Sequence, residues 1–179
     1  MAGPVETEIK LRMANPEAAR AAVARLGARV KTPRHFEDNV LIDDAGGSLR
    51  AAGMVLRLRR LPEGGVLTCK GPSRLEDGLR SREERETWVA DPEAVLAILE
   101  KLGLRPAFRY QKYREAYDWR GQEIVVDETP IGTFLEIEGD AEGIHAAAAA
   151  LGCGPADYVS DSYVGLFFAG GGKGDMVFP

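Results

Sequence analysis

The sequence predicts an α+β fold in which a mostly antiparallel sheet is accompanied by a few helices. Segments with alternating apolar and polar residues follow one another along the chain, with few helices between them. One face of these segments is dominated by charge, and acidic and basic residues are concentrated on different strands. If the charged faces converge, the sheet forms a barrel with a polar interior and apolar outer walls covered by helices.

Three helices are predicted from their ends, because each begins with a capping residue and stops at a glycine. Two of them also carry a proline and a glutamate in the first turn. The predicted helices run from Asn15-Pro16-Glu17 to Gly27, from Asp91-Pro92-Glu93 to Gly103, and from Asp140 to Gly152, with a short fourth one from Asp161 to Phe168.

The strands are predicted from period-two alternation. They cover residues 4–12, 36–43, 54–61, 65–71, 80–90, 107–119, 121–128 and 132–139. Glu63-Gly64-Gly65 and Arg120-Gly121-Gln122 are typical of hairpin turns. We expect a single domain over residues 1–179, with its core at about residues 4–168. The glycine-rich tail at 169–179 is predicted to be mobile and without a function.

Composition limits the classes of function. The chain has 179 residues and a net charge of −5, which argues against a general nucleic-acid-binding protein but allows a local basic pocket. Cys69 and Cys153 form no metal-binding or disulfide pattern, which fits a reducing cytoplasm. No apolar run approaches the ~18 residues of a membrane span, and no apolar leader segment is present. We therefore expect a cytoplasmic protein without a membrane partner.

The charged faces contain two populations of residues, although each face taken alone is typical of the solvated side of an ordinary antiparallel sheet. The basic population is Arg57, Arg59, Lys70, Lys112 and Arg114; the acidic population is Glu6, Glu8, Glu84, Glu86, Asp127, Glu136 and Glu138.

Both populations would need a counter-charge inside a barrel. Clustered carboxylates raise one another's pKa unless a cation lies among them, and Mg²⁺ or Mn²⁺ is a hard ion that prefers such oxygen ligands. Clustered arginine and lysine side chains need an anion, and they match phosphate oxygens. A divalent metal together with a polyphosphate satisfies both groups, which is the arrangement that phosphoryl transfer requires.

An ordered series of short motifs resembles the CYTH superfamily, also called triphosphate tunnel metalloenzymes. The resemblance covers about residues 4 to 168. Its motifs are Glu6-Thr7-Glu8-Ile9-Lys10, His35-Phe36-Glu37-Asp38-Asn39, Leu56-Arg57-Leu58-Arg59, Thr68-Cys69-Lys70-Gly71-Pro72, Arg82-Glu83-Glu84-Arg85-Glu86, Lys112-Tyr113-Arg114, Asp127-Glu128, Gly132-Thr133-Phe134-Leu135-Glu136-Ile137-Glu138 and Ser162-Tyr163.

This resemblance implies an eight-stranded antiparallel tunnel that holds a triphosphate and one or two divalent metals. Lys10 is implied as a phosphate ligand or as the group that orients or deprotonates the nucleophile. The implied metal-side carboxylates are Glu6, Glu8, Glu136 and Glu138, with Asp127, Glu84 and Glu86 nearby, and the implied phosphate ligands are Lys10, Arg57, Arg59, Lys70, Arg82, Lys112 and Arg114.

Three functions remain open from the sequence. The first is hydrolysis of inorganic or nucleoside triphosphate, which needs no adenine pocket; the second is a class IV adenylyl cyclase, and the third is a non-catalytic polyphosphate- or nucleotide-binding module. Thiamine triphosphate is disfavoured, because Leu41-Ile42-Asp43 lacks the tyrosine that such family members carry. A small triphosphate is the expected partner, and a homodimer is left open.

Overall fold

The computed structural model describes residues 3–179, which form a closed eight-stranded antiparallel barrel with one extra strand and five α-helices outside it. None of the helices in this range combines the length and the apolar character that crossing a bilayer requires. The strands are β1 (Val5–Met13), β2 (Arg29–Asp44), β3 (Val55–Leu61), β4 (Gly64–Lys70), β5 (Arg74–Glu76), β6 (Leu79–Val89), β7 (Leu104–Trp119), β8 (Gln122–Thr129) and β9 (Gly132–Glu138); the helices are α1 (Pro16–Arg25), α2 (Ser48–Ala51), α3 (Pro92–Lys101), α4 (Ala141–Ala150) and α5 (Tyr163–Ala169).

Backbone hydrogen bonds close the barrel in the order β1-β9-β8-β7-β2-β3-β4-β6, and β6 returns to pair with β1. All of these pairs are antiparallel. The short strand β5 pairs with β6 and stands outside the ring. The prediction of an antiparallel barrel in an α+β fold is therefore confirmed.

Alternation in β1 and β9 sorts apolar and charged side chains to opposite sides of the wall. Ile9 lies opposite Ile137, and both are buried in the outer core together with residues of α1 and α4. The next pair in the register, Lys10 and Glu136, points into the barrel, where the two side chains form an ion pair. Because consecutive strand residues face opposite sides, the outer core and the charged interior are built from the same strands.

The predicted helices are present, and their ends follow the capping signals. The side chains of Asn15, Asp91 and Asp140 each accept a hydrogen bond from a backbone N–H group three residues further along the chain. Ser162 caps the last helix in the same way, so this helix runs from Tyr163 to Ala169 rather than from Asp161 to Phe168. These caps satisfy backbone donors that the first helical turn leaves unpaired.

The sequence did not predict α2 or β5, and it predicted β2 and β7 as too short. Elements of three or four residues contain too few positions to show a period. The first part of β2, from residue 29 to 34, is exposed on both faces and therefore shows no alternation of polar and apolar residues.

The last residues of the chain, beyond the glycine run that predicts a mobile tail, are packed against the barrel. Residues 175–178 run beside β7, where β7 extends beyond its pairing with β8. The backbone of Met176 exchanges hydrogen bonds with Arg109 and Gln111, and its side chain is fully buried in a cluster with Tyr110, Phe134 and Tyr163. The tail therefore covers an edge of the sheet that would otherwise present unpaired backbone groups, and it packs under α5.

Substitution Met176→Ala should lower the free energy of unfolding by about 2–5 kcal/mol, because it leaves a cavity in a fully buried cluster. Urea unfolding followed by circular dichroism measures this change. Lys173→Ala, in the exposed part of the same tail, is the control and should leave stability within about 0.5 kcal/mol of the parent. Equal stability of both variants would show that the tail does not support the barrel.

Candidate active site

The barrel encloses a cavity of about 1150 Å³. The predicted site residues come together in it, because the charged face of each strand points inward. Asp127 is the exception, since it lies within the wall behind the cavity lining. The predicted residues that line the cavity are Glu6, Glu8, Lys10, Arg57, Arg59, Lys70, Arg82, Glu84, Glu86, Lys112, Arg114, Glu136 and Glu138.

Three carboxylates on neighbouring strands, Glu8, Glu136 and Glu138, form a compact acidic group that we call the acidic triad. One oxygen from each lies within 4.8 Å of the others. Burial, together with the charge of Glu136, raises the pKa of Glu8, and burial and the neighbouring carboxylates raise the pKa of Glu138 to about 8. These shifts show that negative charge is under-compensated at this position, which is what a hard divalent cation with oxygen ligands would relieve.

Glu136 differs from its two neighbours because it contacts two cations, Lys10 and Arg114, whereas among residues 3–179 Glu8 has only Arg80 at 3.8 Å. Burial would raise the pKa of Glu136, but Lys10 and Arg114 hold it well below the usual value. Lys10 Nζ lies 2.9 Å from Glu136 Oε1 and 4.6 Å from the ring centre of Tyr163. Burial lowers the pKa of Lys10, but Glu136 and Glu8 outweigh this effect and raise it. This direction favours a protonated lysine that binds phosphate over a lysine that acts as a base.

A second acidic group surrounds Lys70. The ammonium of Lys70 lies 2.9 Å from Glu6 and 2.5 Å from Glu84. Burial and the hydrogen bond with Glu6 raise the pKa of Glu84 to about 7. Glu86 instead accepts hydrogen bonds from Arg57 and Thr68. The metal-side role that was predicted for Glu6, Glu84 and Glu86 stays a prediction, since cationic or hydroxyl partners occupy all three.

Asp127 fixes two of the predicted phosphate ligands. Its fully buried carboxylate accepts hydrogen bonds from Lys112 at 2.9 Å and from both Nε and Nη2 of Arg114, at 2.8 and 2.6 Å. The Tyr163 hydroxyl donates a further bond of 2.9 Å. Because these donors surround both oxygens, the geometry favours a positioning role for Asp127; its predicted metal role remains a prediction.

The opposite wall carries the remaining cations. Arg59 lies 3.2 Å from the fully buried Glu37 and donates to Asn39. Arg82 donates to the backbone carbonyl of Gly71, at 2.9 and 3.1 Å, and forms no ion pair within residues 3–179. Its charge is therefore available to an anion.

Sequence reasoning did not assign Glu37, Asn39 or Tyr110 to the site. Glu37 and Asn39 lie opposite Lys112 and Tyr110 in the β2–β7 register. Both Glu37 oxygens and Asn39 Nδ2 are buried without a hydrogen bond, although Glu37 is close to Arg59 and Lys112. The alternation of polar residues at positions 37 and 39 was the available signal, but it gave no indication of which cations would lie opposite.

Comparison with known proteins gives a consistent result. A family model described as the CYTH domain matches residues 5–152. A protein of Methanocaldococcus jannaschii named "Putative adenylate cyclase" is 27% identical over 135 residues, which cover 75% of this chain and 76% of that protein.

Solved structures show the same fold at low sequence identity. A Vibrio parahaemolyticus protein described as a "putative adenylate cyclase" has a TM-score of 0.78 at 22% identity, covering 90% of this chain and 97% of that one. A Hippeastrum protein has a TM-score of 0.72 at 23% identity, covering 94% of this chain and 97% of that one. The Hippeastrum protein is described as a "putative adenylyl cyclase" with a dominant triphosphatase activity.

Substitution Glu138→Gln should weaken Mn²⁺ binding by about tenfold or more, since it removes one charged oxygen ligand from the acidic triad. Electron paramagnetic resonance of unbound Mn²⁺ measures the affinity, and thermal unfolding checks that the variant folds. Glu63→Gln, in the exposed β3–β4 turn, is the matched control. Parental Mn²⁺ affinity in the Glu138 variant would contradict the assignment of the triad as a metal site.

Proposed function

This chain belongs to the CYTH domain family, and we propose that it is a metal-dependent phosphohydrolase that removes the terminal phosphate of a triphosphate substrate, either inorganic or nucleoside triphosphate. The observation that carries this proposal is the presence of the acidic triad and a cluster of arginine and lysine side chains in one cavity. An anion-binding site alone would not need buried carboxylates, because they repel the ligand and are costly to desolvate.

The residues suited to hold Mg²⁺ or Mn²⁺ are Glu8, Glu136 and Glu138, and the raised pKa values of Glu8 and Glu138 support that fit. The ion, when bound, neutralises charge on phosphoryl oxygens. The choice of Mg²⁺ or Mn²⁺ and the number of ions bound belong to the proposal.

The chain's own cations provide the remaining charge neutralisation. Lys112 and Arg114 are held in place by Asp127, so they are oriented before a substrate arrives. Arg57 and Lys70 face the same cavity from β3 and β4. Ordered donors of this kind stabilise the charge that develops during phosphoryl transfer without reorganising.

In the proposed hydrolysis, the oxygen of water attacks the terminal phosphorus and the bond from that phosphorus to the bridging oxygen breaks. Orthophosphate leaves together with diphosphate or a nucleoside diphosphate. Glu84, whose pKa is raised to about 7 by burial and by its contact with Glu6, is suited in its ionised form to accept the proton that the water loses.

Adenylyl cyclase activity is the second candidate, because all three of the proteins compared above are described as putative adenylate or adenylyl cyclases. In that reaction the ribose 3′-hydroxyl attacks the α-phosphorus and diphosphate leaves. The Hippeastrum protein, which carries the same name, is described as mainly a triphosphatase, so the name does not decide between the reactions. A non-catalytic binding module is the third candidate. A cytoplasmic location and a homodimer remain predictions.

Turnover assays should distinguish these reactions. The purified protein is incubated with tripolyphosphate, ATP or thiamine triphosphate and with Mg²⁺ or Mn²⁺, and orthophosphate, diphosphate and cyclic AMP are measured separately. We expect metal-dependent release of orthophosphate without cyclic AMP. Cyclic AMP formed in equal amount to diphosphate would establish the cyclase instead, and absence of turnover with both metals would leave the binding module.

Substitution Arg82→Met should lower kcat/KM by about 10- to 150-fold while the barrel remains folded, because it removes one charge-assisted hydrogen bond to the substrate and leaves no carboxylate unpaired. Arg74→Met, on the exposed strand β5, is the control and should retain the parental kcat/KM. Parental activity in the Arg82 variant would remove this residue from the phosphate-binding set.

A further inference from the structure

The cavity has an apolar mouth beside its charged interior. The mouth is formed where the carboxyl end of β2, the beginning of β7 and α5 meet. Its apolar lining residues are Leu41, Met54, Pro106, Phe108, Val164 and Phe168. Phosphate oxygens gain nothing from such a surface, so the mouth fits a different part of a ligand.

Phe168 is the most unusual residue of this mouth, because 49% of its surface is exposed. Its ring centre lies 5.4 Å from that of Phe108, and the two planes are inclined by 53°. An aromatic ring that remains exposed at the rim of a cavity provides a flat apolar face on which a planar group can stack.

The charges at the mouth indicate which planar group fits. Arg50 and Arg105 line the mouth, are exposed, and form no ion pair within the described residues 3–179. The carboxylates of Asp43 and Asp44 accept hydrogen bonds from backbone N–H groups of their own loop, so they are already engaged. The two arginine charges are therefore matched by the two carboxylate charges of the same mouth, and this balance is compatible with a neutral base.

The size of the cavity supports the same conclusion. Pockets for drug-sized organic molecules are about 300–1,000 Å³, and this cavity of about 1150 Å³ is somewhat larger, so it has room for a base in addition to a triphosphate. Inorganic tripolyphosphate would use the charged interior but not the mouth.

We propose that the preferred substrate is a nucleoside triphosphate whose neutral base stacks on Phe168 and Phe108 while its triphosphate enters the charged interior. This inference rests on the proposed function for the triphosphate part of the ligand. It adds a base-binding subsite that the metal and phosphate residues do not include.

Equilibrium binding separates this proposal from the hydrolase proposal. Isothermal titration calorimetry in Mg²⁺ compares the β,γ-imido analogue of ATP with imidotriphosphate, the matching inorganic compound. Stacking of a base on an aromatic side chain tightens binding by about 5- to 150-fold, so the parental protein should prefer the nucleotide by a factor in this range.

Phe168→Ala should remove most of this preference, since its side chain is exposed and its loss should not unfold the barrel. Phe36→Ala is the matched control, because Phe36 is 42% exposed and does not line the cavity. Equal affinity of the parental protein for both compounds, a preference that survives in Phe168→Ala, or the same loss in Phe36→Ala would each overturn the base-binding subsite.

The turnover assay reports on the hydrolase proposal independently. Hydrolysis of tripolyphosphate together with equal binding of the two imido compounds would refute the subsite and keep the hydrolase. A nucleotide preference that depends on Phe168, without turnover in Mg²⁺ or Mn²⁺, would support the subsite and refute the hydrolase.

Discussion

The ion pairs of Asp127 are the interaction on which the rest of the site depends. This carboxylate is fully buried and accepts hydrogen bonds from Lys112 and Arg114 of β7. Its third partner is Tyr163 of α5, whose hydroxyl donates a further hydrogen bond. Without Asp127, Lys112 and Arg114 would keep only Glu37 and Glu136 as ion-pair partners within residues 3–179, and the loss of one partner from a buried ion pair is strongly destabilising. The same contact joins the barrel wall to the last helix, and Met176 packs beneath that helix. The position of the phosphate-binding cations is therefore coupled to the packing of the carboxyl-terminal segment.

A closed barrel with a charged interior must also balance its charge locally, because each buried ion needs a counter-ion within a few ångströms. Most of the lining satisfies this condition: Lys70 lies between Glu6 and Glu84, and Arg57 contacts Glu86. Glu138 of the acidic triad departs from it, because it forms no ion pair within residues 3–179, and Arg82 departs in the opposite sense. The two departures face one cavity, which fits a ligand that brings both a cation and an anion.

The sequence was sufficient to predict the barrel strands, the main helices and most of the charged residues of the cavity wall, because alternation and capping are local signals. It failed where the deciding contacts are distant in sequence. The tail looked mobile from its glycines, but Met176 is fixed by β7 and α5. Glu37 lies opposite Lys112, and Asp127 lies behind the lining, and neither fact follows from the period of one strand. The elements α2 and β5 were too short to show a period.

The arrangement of the cavity also bears on which reaction takes place. A nucleotide whose base lies at the mouth must enter with its α-phosphate nearest the base and its terminal phosphate deepest, because the chain of phosphates is continuous. The acidic triad, of which Glu136 is buried and Glu8 and Glu138 are half-buried, would then face the terminal phosphorus. Glu138 ends β9, whereas the mouth lies at the end of the barrel where β7 and β9 begin. Cyclisation would instead need carboxylates free to serve a metal near the α-phosphate, but Asp43 and Asp44 at the mouth are engaged by backbone N–H groups. The proposed position of the base therefore favours hydrolysis at the terminal phosphate over attack on the α-phosphorus.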